Sequence, residues 1–305
     1  MRRNRSNRPN SPDDGQFSAG VYPCETTMKQ LLLLGHRNKP GVQDAIEDIK
    51  PWLMDRADFE VDLDIGHRAE PGEFDLAVVF GGDGSMLRAA RTLADARVPI
   101  LGINLGKFGF LTEGTAEEAR DVLDDVLEDR CRIMERMMLQ CRLLRDGECI
   151  EKSVGLNDVV VSPSAMSRLI DIDFHVNDQL VTTYRADGLI VSTPVGSTGH
   201  SLSAGGPIVY PGMDCFVVAP ICPHTLTNRP LILPPDTEMK FAMEQSAEHP
   251  AVTVDGQTTM ELQQGDRVAV RKADRPLRLV RTDRRTFFET LHNKLGWGGQ
   301  PAYVK

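Results

Sequence analysis

The chain has 305 residues, enough for about two domains and a sizeable core. A formal charge of −9 argues against a general nucleic-acid binder, whose phosphate contacts need clustered Lys and Arg, although a local basic cleft for a small anion stays open. No apolar run approaches the roughly 20 residues of a membrane span, and six cysteines without a CxxC pair or a secretory segment read as reduced thiols of a cytoplasmic protein.

Residues 1–27 are polar, lack apolar periodicity and are expected to be a disordered tail. An α/β domain is expected over 28–130, opening with the strand in "KQLLLLG". Val42, Ala45, Ile46, Ile49 and Leu53 then share one helical face, with Pro51 expected to bend or interrupt the helix near its end. "FEVDLDI" alternates as a strand does, and "FDLAVVF" reads as a buried one. After Gly84, Met86, Leu87, Ala90, Leu93 and Ala94 recur at helical spacing, followed by the strand "VPILGIN". Thr115 and Glu118 stand in capping-box spacing ahead of a stripe of Ala119, Val122, Leu123, Val126 and Leu127. Alternating strands and helices imply a parallel, Rossmann-like sheet with its ligand outside the carboxyl ends of the strands.

From residue 131 the period changes, and 131–285 reads as a mostly β domain. "RDGE" marks a turn between two of its strands, and "CFVVAPI", "MKFAME", "AVTVDG" and "DRVAVRKA" supply others. In "IDIDFHV", Asp171, Asp173 and His175 alternate with Ile172, Phe174 and Val176, which describes a solvated strand face better than a metal site. A C-terminal helix and tail, 286–305, are expected to return to the first domain.

Two stretches carry chemistry. In "FGGDGS", Gly81, Gly82 and Gly84 allow a close backbone approach at the start of a helix, whose free N–H groups make a phosphate cradle. Asp83 complicates that cradle, since a carboxylate beside phosphates must either meet their metal or accept a proton from an attacking hydroxyl. A tight strand-to-helix turn without chemistry is the plain alternative. In "YRADGLIVSTPVGSTGHSLSAGGP", Ser192, Thr193, Ser197, Thr198, Ser201 and Ser203 offer hydroxyls to a polar ligand, and Asp187 can accept from a ribose diol. No GxSxG elbow speaks for serine hydrolysis.

Together with "GINLGKFGFLTE", "LNDVVV", "APICPHTLTNRPLILP" and "FFETLHNKLGW", these blocks resemble the ATP/polyphosphate-dependent NAD kinases over residues 28–305. The resemblance implies an α/β domain, a β-rich NAD-binding domain, a site between them, a homodimer or homotetramer, and phosphorylation of the adenosine ribose 2′-hydroxyl of NAD. It implies Asp83 as general base, with Gly81, Gly82, Gly84 and Ser85 at the phosphates. Phe110, Asn157, Asp158, Arg185, Asp187, Thr198, Gly199, His200 and Ser203 then fall at NAD-contacting positions. ATP or polyphosphate would be the donor, Mg²⁺ would travel with it, and no protein side-chain cluster would hold the metal.

Four positions depart from the family pattern: Ser85 for Thr, which keeps the hydroxyl, Asp158 for Glu, Gly199 for Ala and His200 for Tyr. Asp255 and Gly256 match a further family turn, near the cleft or simply at the surface. His36 and Arg37 follow the first strand on the cleft side, while Arg281, Arg284 and Arg285 read as a solvated charge run, with polyphosphate binding the alternative. The rival readings are another GGDG-type kinase acting on a sugar phosphate or lipid, and a pyridine-nucleotide sensor without catalysis.

Overall fold

The computed structural model describes residues 21–23, 30–106, 109–163, 169–225, 227–243, 250–282 and 284–297. Its first sheet is built around the parallel strands β2 (Gln30–Gly35), β3 (Asp58–Asp62), β4 (Leu76–Phe80) and β5 (Ile100–Asn104). Successive side chains of these strands enter different cores. Leu31, Leu33, Leu76 and Val78 meet α1 (Val42–Leu53) and α3 (Ala119–Leu127), while Leu32, Leu34, Ala77 and Val79 meet α2 (Asp83–Thr92). Burial on both faces explains why β2, β4 and β5 read as unbroken apolar runs, while the edge strand β3 alternates. Each fully buried Leu contributes roughly 1.5–3 kcal/mol.

The sheet extends beyond the expected domain limits. β6 (Gly114–Thr115) pairs with β5, and β7 (Arg132–Arg136) and β20 (Leu277–Arg281) join from later in the chain, giving the order β1-β7-β20-β5-β4-β2-β3. Residues 132–136 and 277–281, beyond the change of period at residue 131, thus belong to the first sheet. β1 (Val21–Pro23) also corrects the expected tail, pairing antiparallel with β7, while residues 1–20 and 24–27 lie outside the described residues.

The second unit is a sandwich of two antiparallel sheets. One follows the order β15 (Leu231–Leu233), β14 (Phe216–Ile221), β13 (Gly188–Ser192), β10 (Asp158–Pro163), β17 (Pro250–Val254), β18 (Thr258–Glu261). The other runs β12 (Gln179–Ala186), β11 (Ile170–Val176), β16 (Met239–Met243), β19 (Arg267–Lys272), β8 (Leu139–Arg145), β9 (Glu148–Gly155). Their inner faces share Cys141, Phe174, Phe216, Phe241 and Val252, and burial pushes the Cys141 thiol up to about 12. Asp146 and Gly147 turn β8 into β9 with positive φ of 51° and 86°, at the turn expected there.

Two local expectations shift. α1 runs through Pro51 because the proline lies in its last turn, which the Met54 N–H closes onto Lys50 O. Thr115 is a strand residue: Glu118 Oε2 accepts its N–H at 2.9 Å, but α3 begins only at Ala119. Among the described residues no helix is long and apolar enough to cross a membrane.

Candidate active site

Asp83 opens α2 directly after Gly81 and Gly82, which end the turn from β4. A Cβ on Gly81 would stand 2.4 Å from Ser85 Oγ, so the turn closes only around a glycine. Ser85 is buried, and its Oγ accepts from Lys39 Nζ at 3.0 Å. The Asp83 carboxylate faces the loop after β5, where the N–H groups of Phe110 and Leu111 donate to Oδ2 and Oδ1, each at 3.1 Å. Gly109 gives that carboxylate its room, because a Cβ there would lie 1.9 Å from Oδ1. Two amides thus fix both oxygens while leaving each a free lone pair.

One turn of the second unit hydrogen-bonds to this helix. Asp255 and Gly256 take positive φ of 53° and 62° after β17 and swing Gln257 across, where Nε2 donates to Gly84 O at 2.7 Å. Arg91 of α2 donates back to Gln257 Oε1 at 2.9 Å. The buried Asp255 carboxylate accepts the N–H groups of Leu156, Asn157 and Asp158 at 3.0, 2.8 and 3.1 Å. Asp255 thus ties the turn into the junction, while Gly256 and Gln257 stay exposed.

Burial and the neighbouring Asp255 charge push Asp158 up to about 7, and burial also raises Asp255 against the pull of its three amides. Asn157 in turn packs on the short turn 196–199, where a Cβ on Gly196 would stand 2.1 Å from Asn157 O. The structure therefore links Asp83 and Gly84 to Asn157, Asp158 and Gly199 across the two units.

Other expected residues are distributed differently. Ser192, Thr193 and Ser197 are fully buried and donate to the backbone oxygens of Thr193, Leu156 and Pro194, so they shape the turn instead of facing a ligand. Thr198 Oγ1 donates to Val195 O at 3.3 Å. Gly199, His200 and Ser203 are exposed around the short helix α4 (His200–Ser203). Arg185 and Asp187 are also exposed, with Arg185 Nε 3.9 Å from Asp171 Oδ1 and the Asp187 N–H on Ile221 O. Phe110 is half-buried against Phe287, ring centroids 6.1 Å apart, in α5 (Phe287–Leu295), which thereby packs on the first unit.

A cleft of about 1310 Å³ opens beside Gly84 and Ser85. His36, Lys39, Arg68, Arg88, Arg91 and Lys152 line it, against Glu70, Asp95 and Asp274, so a locally cationic wall exists on an acidic chain. Arg37 lies elsewhere, paired with Asp64 at 2.6 Å. Lys39, Arg88, Gly109 and Gln257 escaped the sequence reading. Arg88 and Arg91 carried a signal, three residues apart on the polar side of α2, whereas Gly109 shows its role only through a tertiary contact.

The arginines at the end of β20 and just beyond it are each paired, although Arg284 is exposed. Arg281 pairs with buried Glu113, Arg284 with Asp125 and Arg285 with Glu118, at 2.8, 2.6 and 2.9 Å. Among the described residues no three His, Cys, Asp or Glu side chains gather around a metal position.

The chain matches the ATP-NAD kinase N-terminal domain over residues 31–131 and the ATP-NAD kinase C-terminal domain over 156–282. The chain belongs to the NAD kinase family. NAD kinases of Geotalea daltonii and Geobacter sulfurreducens are 40% and 42% identical to it, each comparison covering 89% of this chain and 99% of the relative. An Archaeoglobus fulgidus NAD kinase solved in complex with ATP superposes with a TM-score of 0.69 at 25% identity, covering 88% of this chain and 99% of that one. Yeast NADH kinase complexed with NADH shares the fold, with a TM-score of 0.80 at 24% identity and coverage of 92% and 91%. NAD kinase architecture thus accounts for both units and for the junction between them.

Proposed function

We propose that Asp83 is the general base in direct transfer of a phosphoryl group from ATP to the adenosine ribose 2′-hydroxyl of NAD. Membership of the NAD kinase family carries the overall reaction: the chain is an enzyme that phosphorylates NAD to NADP. The observation that carries the assignment of Asp83 is its held carboxylate at the head of α2, facing the junction of the two units.

The 2′-oxygen attacks the γ-phosphorus, the bond to the bridging β–γ oxygen breaks, ADP leaves, and the hydroxyl proton passes to Asp83. No phosphoenzyme is required. Gly82 and Gly84 bring backbone N–H groups to the phosphates, with the dipole of α2 behind them, while Gly81, whose own N–H donates to Ile103 O at 2.9 Å, shapes the turn that presents them.

The cationic cleft beside Gly84 and Ser85 supports placing the donor's polyanionic tail on Lys39, Arg88 and Arg91, for ATP or for polyphosphate. Asn157, Asp158, Thr198, Gly199, His200 and Ser203 supply the NAD side, with Phe110 toward adenine. Mg²⁺ carried on the donor's phosphates would offset charge on the transferring group, beside an Asp83 carboxylate whose two oxygens each accept one amide. Exposed Arg185 and Asp187 contribute from a neighbouring copy in a homodimer or homotetramer working in the cytoplasm.

The test is NADP formation with NAD, Mg²⁺ and each donor supplied singly. Asp83→Asn is expected to lower kcat by about 10²–10⁴-fold with NAD binding intact. Unchanged turnover would remove Asp83 from the role of base, and label appearing on a sugar or lipid instead would sink the NAD reading.

A further inference from the structure

Glu113 is 1% exposed, and the reaction gives it no task. Its Oε1 accepts both the N–H and the hydroxyl of Thr282, at 2.8 and 2.7 Å. Its Oε2 lies 2.8 Å from Arg281 Nε but off the line of a hydrogen bond, so charge alone holds it. Arg281 is itself largely buried and is tied back to Arg285 O at 3.1 Å. A buried ion pair is no better for net stability than apolar side chains of similar volume, because both ions lose their hydration. Its placement therefore matters more than its strength.

Glu113 ends the loop that leaves β5. Its own N–H donates to Gly102 O at 2.8 Å, and two and three residues earlier come the Leu111 and Phe110 amides that hold Asp83. On the other side, the segment from β20 to α5 lays Arg281 and Thr282 on Glu113, Arg285 on Glu118 and Phe287 on Phe110. One stretch of chain thus braces the loop at its anchor and at its ring.

We propose that Glu113 and Arg281 are positioning residues for Asp83: the buried pair fixes the loop whose two amides aim the carboxylate. The proposal rests on Asp83 as the base, and Asp83→Asn separates the two. If that variant keeps wild-type turnover, the base assignment falls and this inference with it. If it is inactive while the pair variants keep wild-type kcat, only the positioning role falls.

The experiment uses the full chain, with Mg²⁺-ATP and NAD varied and rates referred to folded protein. Glu113→Gln, which keeps an acceptor for Thr282, and Arg281→Met are each expected to lower kcat about tenfold or more, with KM for NAD changed by less than about twofold. The double variant is expected to lose no more than the worse single one, because both act through one loop. Arg284→Ala, which breaks a pair on the same segment outside the loop, is expected to keep kcat.

Amide exchange at residues 109–111 is expected to quicken in the pair variants. A lowered melting temperature with wild-type kcat and unchanged exchange at these amides overturns the proposal, for it describes a purely structural pair. Should either variant fail to fold, Arg281→Lys, which keeps the charge and moves the donor, is read in the same way: a wild-type kcat overturns the proposal and a kcat lost at constant KM supports it.

Discussion

At Gly109 a missing atom governs the place of the proposed base. The 1.9 Å that a Cβ would leave to Asp83 Oδ1 is far inside contact distance, so Gly109→Ala must displace either the loop or the carboxylate. Misplacement near 1 Å costs about 10²-fold in a positioned reaction, and kcat is expected to fall by that order, measured as NADP formed per folded molecule. Gly106→Ala, where the added atom meets nothing within 4 Å, is expected to leave the rate alone.

A second residue-scale effect concerns Asp158. Its pKa of about 7 stands above that of an unfolded aspartate, near 3.9, so the folded state holds the proton longer. Its contribution is fully present below about 4 and is lost as pH rises through about 7. Removing the group in Asp158→Asn also frees Asp255 of its neighbour's charge. The stability of wild type minus that of Asp158→Asn is therefore expected to decline from pH 4 to pH 7 and then level off, as read by urea titrations at each pH.

Asp83 was legible in sequence because a carboxylate between glycines at a strand-to-helix turn has little packing purpose. Lys39 and Gly109 were not, for each matters only through a partner brought close by folding.

Among the elements, α5 states its own start. Thr286 accepts from the Glu289 N–H at 3.2 Å while Glu289 Oε2 accepts from the Thr286 N–H at 2.8 Å, a reciprocal capping box. Thr286→Ala is expected to cost about 1 kcal/mol in urea denaturation, the usual price of a lost cap. The Thr115–Glu118 pair has the same spacing and does not cap, because β5 recruits Thr115 into β6 first. Spacing alone cannot distinguish the two; a neighbouring strand with open hydrogen-bonding groups decides. In the second unit β8, β11 and β16 were readable for the converse reason, since they alternate between the sandwich core and less buried positions, whereas β10, β13 and β14 are buried almost throughout. The hydroxyl-rich block from the end of β13 was only half legible: composition marked it as backbone-dominated, but Ser192, Thr193 and Ser197 satisfy the turn itself.

The two units share their interior, which the change of sequence period at residue 131 does not convey. The chain enters the sandwich through β7 and returns through β20, and the Ala273 N–H on Met138 O ties the two crossings together at 2.9 Å. The core against α2 contains Met86 and Leu87 from the first unit with Met138, Leu156 and Val195 from beyond it, and Leu277 and Leu279 close its edge. Opening either unit would expose the other's apolar surface, so one cooperative transition is expected. The chain has two tryptophans, Trp52 half-buried in α1 and Trp297 exposed beyond α5. In Trp297→Phe, fluorescence reports the first unit alone, while far-UV dichroism is dominated by the strands of the sandwich. The two signals are expected to fall at the same urea concentration. A fragment of residues 30–131 lacks β7, β20 and the shared core, and it is expected to give the collapsed amide proton spectrum of an unfolded chain. Separate transitions in the whole chain, or a dispersed spectrum from the fragment, would show instead that the α/β sheet is complete without the strands that return to it.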